Sequence, residues 1–226
     1  MIDIAKLIKS PVKDGQWIAK VVIGGVVSLV PVLSFCALGY IASLIRKVIR
    51  GDDDKLPEWT NWGRMFTDGI LYWVAAFLYM LIPLLIFSGG VFLPGLGISG
   101  FLIRTFSIFI AVVAALGASF LLPMAICNFV AGGNFKFAFD FKSMQDKIKL
   151  ISKDYGTAYL ITLGLTIGVY LVSLFLGLII IGWLLAPFLG FYLNLVAARM
   201  FAEIYPKGEE DIIAAEEEES EEKAEE

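Results

Sequence analysis

The acidic side chains of one short turn are the first residues of this sequence that could do chemistry. Asp52, Asp53 and Asp54 are adjacent, and Glu58 follows four residues after the last of them. Carboxylate oxygens at this density are the ligands that Mg²⁺ and Ca²⁺ prefer. Three adjacent acids on a turn more often face water, however, so we expect a solvated turn and no metal site.

A glycine-rich segment at 95–100 (GLGISG) matches the letters of a dinucleotide-binding loop. That loop works only between a strand and a helix, with an acidic residue about 20 positions further on. Here the flanking segments are long and apolar, and no acid follows before Asp140. The sequence therefore predicts a turn between helices rather than a nucleotide site.

The remaining reactive residue types are sparse. The chain has no histidine, and its two cysteines, Cys36 and Cys127, both lie inside apolar stretches. Isolated buried cysteines usually behave as small hydrophobic residues. We predict no catalytic, cofactor-binding or metal-binding residues, and hence no enzymatic activity.

Composition indicates which class of fold must position these residues. Hydrophobic residues make up 58% of the 226 positions and the mean hydropathy is +0.80. Soluble domains are only about 45–50% apolar. Leu71–Ile103 and Gly156–Ala198 contain no charged residue at all. A run of about 18 uncharged, mostly apolar residues is already enough to mark a candidate membrane span. The chain is thus predicted to be an all-α, polytopic membrane helix bundle.

The distribution of charge predicts the topology. Fifteen of the sixteen basic residues in 1–206 fall in segments that one orientation places in the cytoplasm, and Arg104 is the exception. By the positive-inside rule, this favours six membrane helices as three hairpins, with both termini cytoplasmic in the cell membrane. The predicted helices are Trp17–Val30, Phe35–Ile49, Gly69–Ser88, Phe101–Val130, Gly156–Ile181 and Trp183–Tyr205. A single kinked span over Trp17–Ile49 is the alternative for the first pair.

Short interfacial helices are predicted near 2–9, 57–66 and 141–155. Trp17, Trp59 and Trp62 are candidate membrane-interface anchors, because tryptophan is enriched at headgroup level. In 141–155, apolar residues recur at helical spacing opposite a wet face that carries Lys142, Lys149 and Lys153. This pattern is typical of an amphipathic helix that contacts anionic lipid or a partner. A buried connector packed against the bundle is the alternative.

The carboxyl-terminal segment 207–226 differs in composition from the membrane bundle at 1–206. It holds 11 of the 22 acidic residues and only two lysines. With little apolar surface to bury, it is predicted to be a disordered acidic tail.

Polar residues inside apolar segments are costly and often functional. Asn128, Thr166 and Asn194 are therefore candidates for an intramembrane polar site. Gly164 and Gly168 form a GxxxG pair, for which we expect packing within the chain, with self-association as the alternative.

Several short motifs resemble an uncharacterised prokaryotic membrane family, domain of unknown function 4013. They are Leu38–Ile41 (LGYI), Arg46–Gly51 (RKVIRG), Leu56–Trp62 (LPEWTNW) and Asp68-Gly69, followed by the phenylalanine-rich stretch 135–149. The resemblance implies a multi-spanning protein of bacteria or archaea without an assigned activity.

The leading functional hypothesis is a structural or interaction protein with a basic cytoplasmic face. Its expected partners are membrane lipids, with a protein partner or a second copy also possible and nucleic acid not expected. A passive channel or transporter for a small solute is the alternative, with a path past Asn194.

Overall fold

A computed structural model of the chain describes residues 11–52, 55–92, 95, 97–177 and 181–225, and for residues 181, 183 and 207–225 it describes the backbone alone. Within these ranges every regular element is helical and none is a strand, which confirms the all-α prediction. The helices are α1 (Trp17–Leu29), α2 (Ser34–Ile49), α3 (Trp62–Phe92), α4 (Ile98–Gly132), α5 (Phe141–Leu150), α6 (Ser152–Gly177) and α7 (Ile181–Glu225). Two 3₁₀ turns, Pro11–Lys13 and Phe135–Phe139, precede α1 and α5.

Four helical segments are long and apolar enough to cross a membrane. They are Trp62–Phe92, Ile98–Gly132, Ser152–Gly177 and Leu184–Pro206. The apolar helix α1 has only 13 residues and α2 has 16, so at 1.5 Å per residue they are about 20 Å and 24 Å long. The six predicted membrane helices thus correspond to four full-length segments and two shorter helices.

The first two helices are divided at Val30–Leu33, where the sequence contains Pro31. Proline lacks a backbone N–H and disfavours helix in the residue before it. The turn then satisfies its own polar groups: the Val30 amide donates to the Val27 carbonyl, and the Ser34 hydroxyl donates to the Pro31 carbonyl at 2.6 Å.

The core lies around α2, which packs on α3, α4 and α7. Tyr40, Leu44 and Leu195 are at most 1% exposed. Large apolar side chains are meanwhile exposed along the long helices, among them Phe101, Phe106, Phe109, Leu171 and Phe175. An apolar outer surface of this extent suits lipid rather than water.

The interfacial segments differ from their predicted bounds. The helix expected at 141–155 is divided at Ile151, because α5 ends at Leu150 and α6 starts at Ser152 and continues through Gly156. The division lets both halves bury apolar residues, since Met144 on α5 and Tyr155 on α6 are at most 1% exposed.

Of the segment 57–66, only the part from Trp62 onward is helical. The predicted helix at 2–9 lies outside the described residues. The backbone of α7 continues to Glu225, through the segment for which composition predicts disorder. The division of the chain at residue 206 stays a prediction.

Candidate functional site

A buried lysine, Lys147, joins three helices at one end of the bundle. Its Nζ donates to the Asn128 Oδ1 atom of α4 at 3.2 Å and to the Tyr205 hydroxyl of α7 at 2.6 Å. It also lies 4.2 Å from the centre of the Tyr205 ring, in cation–π contact. Lys147 is only 7% exposed. Because burying an ammonium is costly, these contacts fix its position.

A cavity of about 350 Å³ opens beside this lysine. Arg46 and Arg50 from the end of α2 line it together with Lys147, as do the polar side chains of Asn128, Ser143 and Tyr205. Asp140 is the carboxylate among the described lining residues. Among the described lining residues, three side chains are therefore cationic and one is anionic.

The segment between α4 and α5 positions the cavity wall. α4 ends at Gly132, and the capping residue Gly133 has a φ of 67°, which is left-handed and favours glycine. The Tyr79 hydroxyl of α3 donates to the Ala138 carbonyl at 2.7 Å and so holds this segment against the bundle. Asp140 then caps α5 by accepting a hydrogen bond from the Ser143 amide at 3.1 Å.

An ion-pair network lies next to the cavity, between α2 and α3. Asp68 Oδ2 is 3.0 Å from Arg46 Nη2 and 3.7 Å from Arg64 Nε. Arg64 is four residues before Asp68 on the same helix, whereas Arg46 is a partner on another helix that sequence spacing did not reveal. Asp68 therefore anchors one of the cavity's arginines.

A second buried ionic cluster ties the start of α1 to the LPEW motif at 56–59. Lys20 Nζ donates to Asp14 Oδ2 at 2.8 Å, to Glu58 Oε1 at 2.6 Å and to the Leu56 carbonyl at 3.0 Å. These three bonds use all three ammonium protons. Lys20 and Asp14 are only 4% and 5% exposed.

Burial opposes ionisation of Asp14, but its surroundings outweigh that effect. The hydrogen bond from Lys20 and those from the backbone amides of Gln16 and Leu56 hold the pKa of the Asp14 carboxyl below its ordinary value. The ionised form of Asp14 is thus part of the folded structure.

The predicted tryptophan anchors differ in their surroundings. Trp59 stacks on Tyr40 with ring centres 4.2 Å apart and donates from Nε1 to the Lys20 carbonyl at 3.2 Å. Trp17 meets the edge of Tyr192, while Trp62 is 41% exposed. Trp59 therefore packs inside the fold, and the membrane-anchor role of the three residues stays a prediction.

The predicted intramembrane polar residues do not form one site. Asn128 binds Lys147. Thr166 and Asn194 instead line a separate groove of about 680 Å³ between α6 and α7. Thr162 also lines it, and its buried hydroxyl oxygen has no hydrogen-bond partner within the described part of the chain.

The basic residues predicted to contact lipid or a partner are on the surface. Lys142, Lys149 and Lys153 are all exposed. Lys147, on the same helix as Lys142 and Lys149, is instead buried. A signal for this was present, since 147 is three residues after Met144 and four before Ile151, on the apolar side of the helix.

The other sequence candidates have simpler surroundings. Glu58 pairs with Lys20, and Asp52 Oδ1 is 3.4 Å from Lys47 Nζ. Asp53 and Asp54 lie outside the described residues. The glycine-rich segment follows α3 and continues into the first residues of α4, so the regular element before it is a helix rather than a strand. Among the described residues no atom lies within 4 Å of a Cβ added at Gly164 or Gly168, so the expected close packing within the chain is not seen for this pair.

The fold and its apolar outer surface define an integral membrane protein of unknown activity. The chain belongs to the family described as protein of unknown function DUF4013, whose profile matches residues 22–182. The resemblance drawn from the sequence motifs is thereby confirmed. Comparison with curated proteins and with solved structures gave no match.

Proposed function

We propose that this chain is a non-enzymatic, polytopic protein of a prokaryotic cell membrane that presents a basic cytoplasmic end to anionic lipid. The observation that carries the proposal is the grouping of basic side chains by the helix ends. Arg46–Asp68 joins the end of α2 to the start of α3. Lys147 joins α5 to α4 near its end, and to Tyr205 of α7, where the candidate span Leu184–Pro206 ends.

The opposite end of the bundle has a different composition. It comprises the α1–α2 turn, the α3–α4 junction and the end of α6, and Arg104 is the basic residue near it among those described. Under the positive-inside rule, this asymmetry supports a cytoplasmic basic end and cytoplasmic termini.

The grouping of basic side chains at one end of the bundle also supports three hairpins. The first hairpin is formed by α1 and α2. Both helices are shorter than the roughly 30 Å hydrocarbon core, so this hairpin ends short of the far headgroups. Its turn exposes apolar residues, with Val30, Val32 and Leu33 at least 43% exposed. A turn with an apolar surface and internally bonded carbonyls is suited to lipid.

The lipid-binding surface in this proposal is formed by Lys142, Lys149 and Lys153. Near an anionic membrane each lysine contributes roughly 1 kcal/mol, less at high salt. Asp146, which lies 3.8 Å from Lys149, opposes part of that attraction. The expected preference for anionic lipid is therefore modest and salt-dependent.

The test measures lipid selection by the full-length protein in nanodiscs that mix neutral and anionic lipid. Fluorescence transfer from the protein to labelled lipid should show enrichment of the anionic lipid, which declines as salt rises. Replacing the three lysines by glutamine should remove most of the enrichment, and Arg104→Gln at the other end should not. Equal enrichment in the parent and the triple variant would contradict the proposal.

A second candidate, a passive path for a small solute, is favoured by the groove that Thr166 and Asn194 share. Polar side chains along an otherwise apolar groove could accommodate a neutral polar solute such as glycerol. Proteoliposomes should then swell faster in glycerol than empty vesicles. The double variant Thr166→Val with Asn194→Leu should abolish the difference, whereas Leu160→Ala on an exposed face of α6 should keep it.

A further inference from the structure

We infer that the cavity lined by Arg46, Arg50 and Lys147 binds a phosphate group, carried by an anionic lipid headgroup or free in solution. The inference rests on the proposed function, which places this cavity at the lipid surface. It adds a defined site, distinct from the exposed lysines of α5 and α6.

The cationic side chains approach the cavity from two sides. Arg46 and Arg50 are one helical turn apart at the end of α2, and Lys147 lies on α5. Guanidinium groups recognise phosphate oxygens through paired N–H donors, whereas an ammonium acts as a compact point charge. Two guanidinium groups with one ammonium therefore suit a phosphate group.

The surrounding contacts hold two of these cations in place before any ligand arrives. Arg46 is held by Asp68 at 3.0 Å, and its side chain is only 14% exposed. Lys147 is held by contacts that include Asn128 and Tyr205. A pre-organised site loses little side-chain entropy on binding. Arg50 is exposed and free to close over a bound group.

Two carboxylates lie close to these cations. Asp140 lines the cavity, and Asp68 pairs with Arg46 from outside. Both carboxylates disfavour a ligand that carries several phosphates.

The volume and surroundings favour a headgroup-sized ligand. A cavity of about 350 Å³ is at the small end of the range of roughly 300–1,000 Å³ for ligand pockets. Phe137 lines it and is 45% exposed, which provides an apolar surface beside the charged one. A lipid needs both surfaces, and basic pockets between helix ends are a known mode of headgroup binding.

The experiment measures thermal stabilisation of the full-length protein in neutral detergent. The ligands are inorganic phosphate, a short-chain phosphatidylglycerol and a short-chain phosphatidylcholine. Saturable stabilisation by phosphatidylglycerol but not by phosphatidylcholine supports a headgroup site. Saturation by inorganic phosphate alone supports a site for free phosphate. No saturable effect of either anionic ligand overturns the inference.

Variants locate the binding and separate it from the lipid-facing lysines. Arg50→Gln should weaken binding at least about tenfold, since it removes a charge-assisted hydrogen bond, and its exposed position leaves the fold intact. Lys55→Gln, at the same end but outside the cavity, should bind as the parent does. The Lys142, Lys149 and Lys153 triple variant should keep saturable binding even if it loses general lipid selection. Parent-like binding by Arg50→Gln would overturn the inference.

Discussion

At the scale of single residues, the structure depends on ions that are buried in pairs. The Lys20 ammonium makes three hydrogen bonds, two of them to carboxylates, and Asp14 accepts bonds from Lys20, Gln16 and Leu56. A buried charge is tolerated only when it is paired and bonded in this way. The cluster therefore fixes the start of α1 on the segment that carries the LPEW motif.

Removing one member of this cluster should destabilise the fold strongly. Lys20→Met leaves the Asp14 carboxylate buried without its cation, which costs about 3–5 kcal/mol. Thermal unfolding of the purified protein in detergent should show a large drop in Tm. The control is Lys55→Met, an exposed position where a substitution changes stability by within about 0.5 kcal/mol. Similar Tm values for both variants would show that the cluster adds nothing to stability.

The Asp14 carboxyl predicts how the stability of the fold responds to acid. Because the folded pKa of Asp14 is lower than its ordinary value of 3.8, its contribution is fully present above pH 3.8 and is lost as the pH falls through the folded pKa. In a plot of Tm against pH, Asp14→Asn should flatten the decline below pH 3.8. Asp52→Asn, which removes a carboxylate that is 71% exposed, is the control. A parent-like decline in Asp14→Asn would argue against the stabilising role.

At the scale of elements, two glycines allow α2 and α3 to pack backbone to backbone. A Cβ atom at Gly39 would collide with the Met65 carbonyl oxygen, and one at Gly69 would collide with the Phe35 carbonyl oxygen. Both glycines belong to the motifs that indicated the family. This contact in turn brings Asp68 to Arg46.

Gly69→Ala should therefore destabilise the bundle. An alanine in a helix is ordinarily about 0.5–1 kcal/mol better than glycine, but here the added methyl meets backbone atoms, and overpacking costs roughly 1–3 kcal/mol. Gly63→Ala, near the start of the same helix and with open space around it, should be neutral or stabilising. Chemical unfolding in detergent measures both, and a gain in stability at Gly69 would refute the close contact.

Sequence patterns predicted the elements better than their junctions. Hydrophobic length identified the four long spans, and Pro31 identified the break between α1 and α2. The division at Ile151 was not predicted, because the apolar spacing continues across it while Met144 and Tyr155 pack on different partners. Long-range contacts decide such junctions, and helical periodicity does not encode them.

The candidate cavity was also beyond sequence pattern. Asn128 was singled out for its polarity, but its partner Lys147 is 19 positions further along the chain, and Tyr205, which also binds Lys147, is 77 positions further. Arg46 and Arg50 were noted only in a family motif and in the count of cytoplasmic basic residues. Their convergence depends on how three helix ends pack, so the structure was needed to bring them together.

At the scale of the whole molecule, the charge asymmetry and the helix contacts support the same arrangement. One end of the bundle carries the basic residues, and Arg46, Lys147 and Lys20 join helices there. The other end exposes apolar residues such as Ile98 and Phe101. Both the lipid-facing lysines and the cavity lie at the basic end. Their proposed roles therefore require that this end faces the cytoplasm, where the leaflet carries anionic lipid.

The most direct test of the cytoplasmic position of the basic end is labelling with a membrane-impermeant maleimide. Starting from Cys36→Ala with Cys127→Ala, single cysteines are introduced by Ser99→Cys at the start of α4 and Lys149→Cys on α5, both at exposed positions. If the basic end is cytoplasmic, Ser99→Cys should be labelled in intact cells, and Lys149→Cys should be labelled only after the membrane is permeabilised. Labelling of Lys149→Cys in intact cells, with Ser99→Cys protected until permeabilisation, would contradict that position.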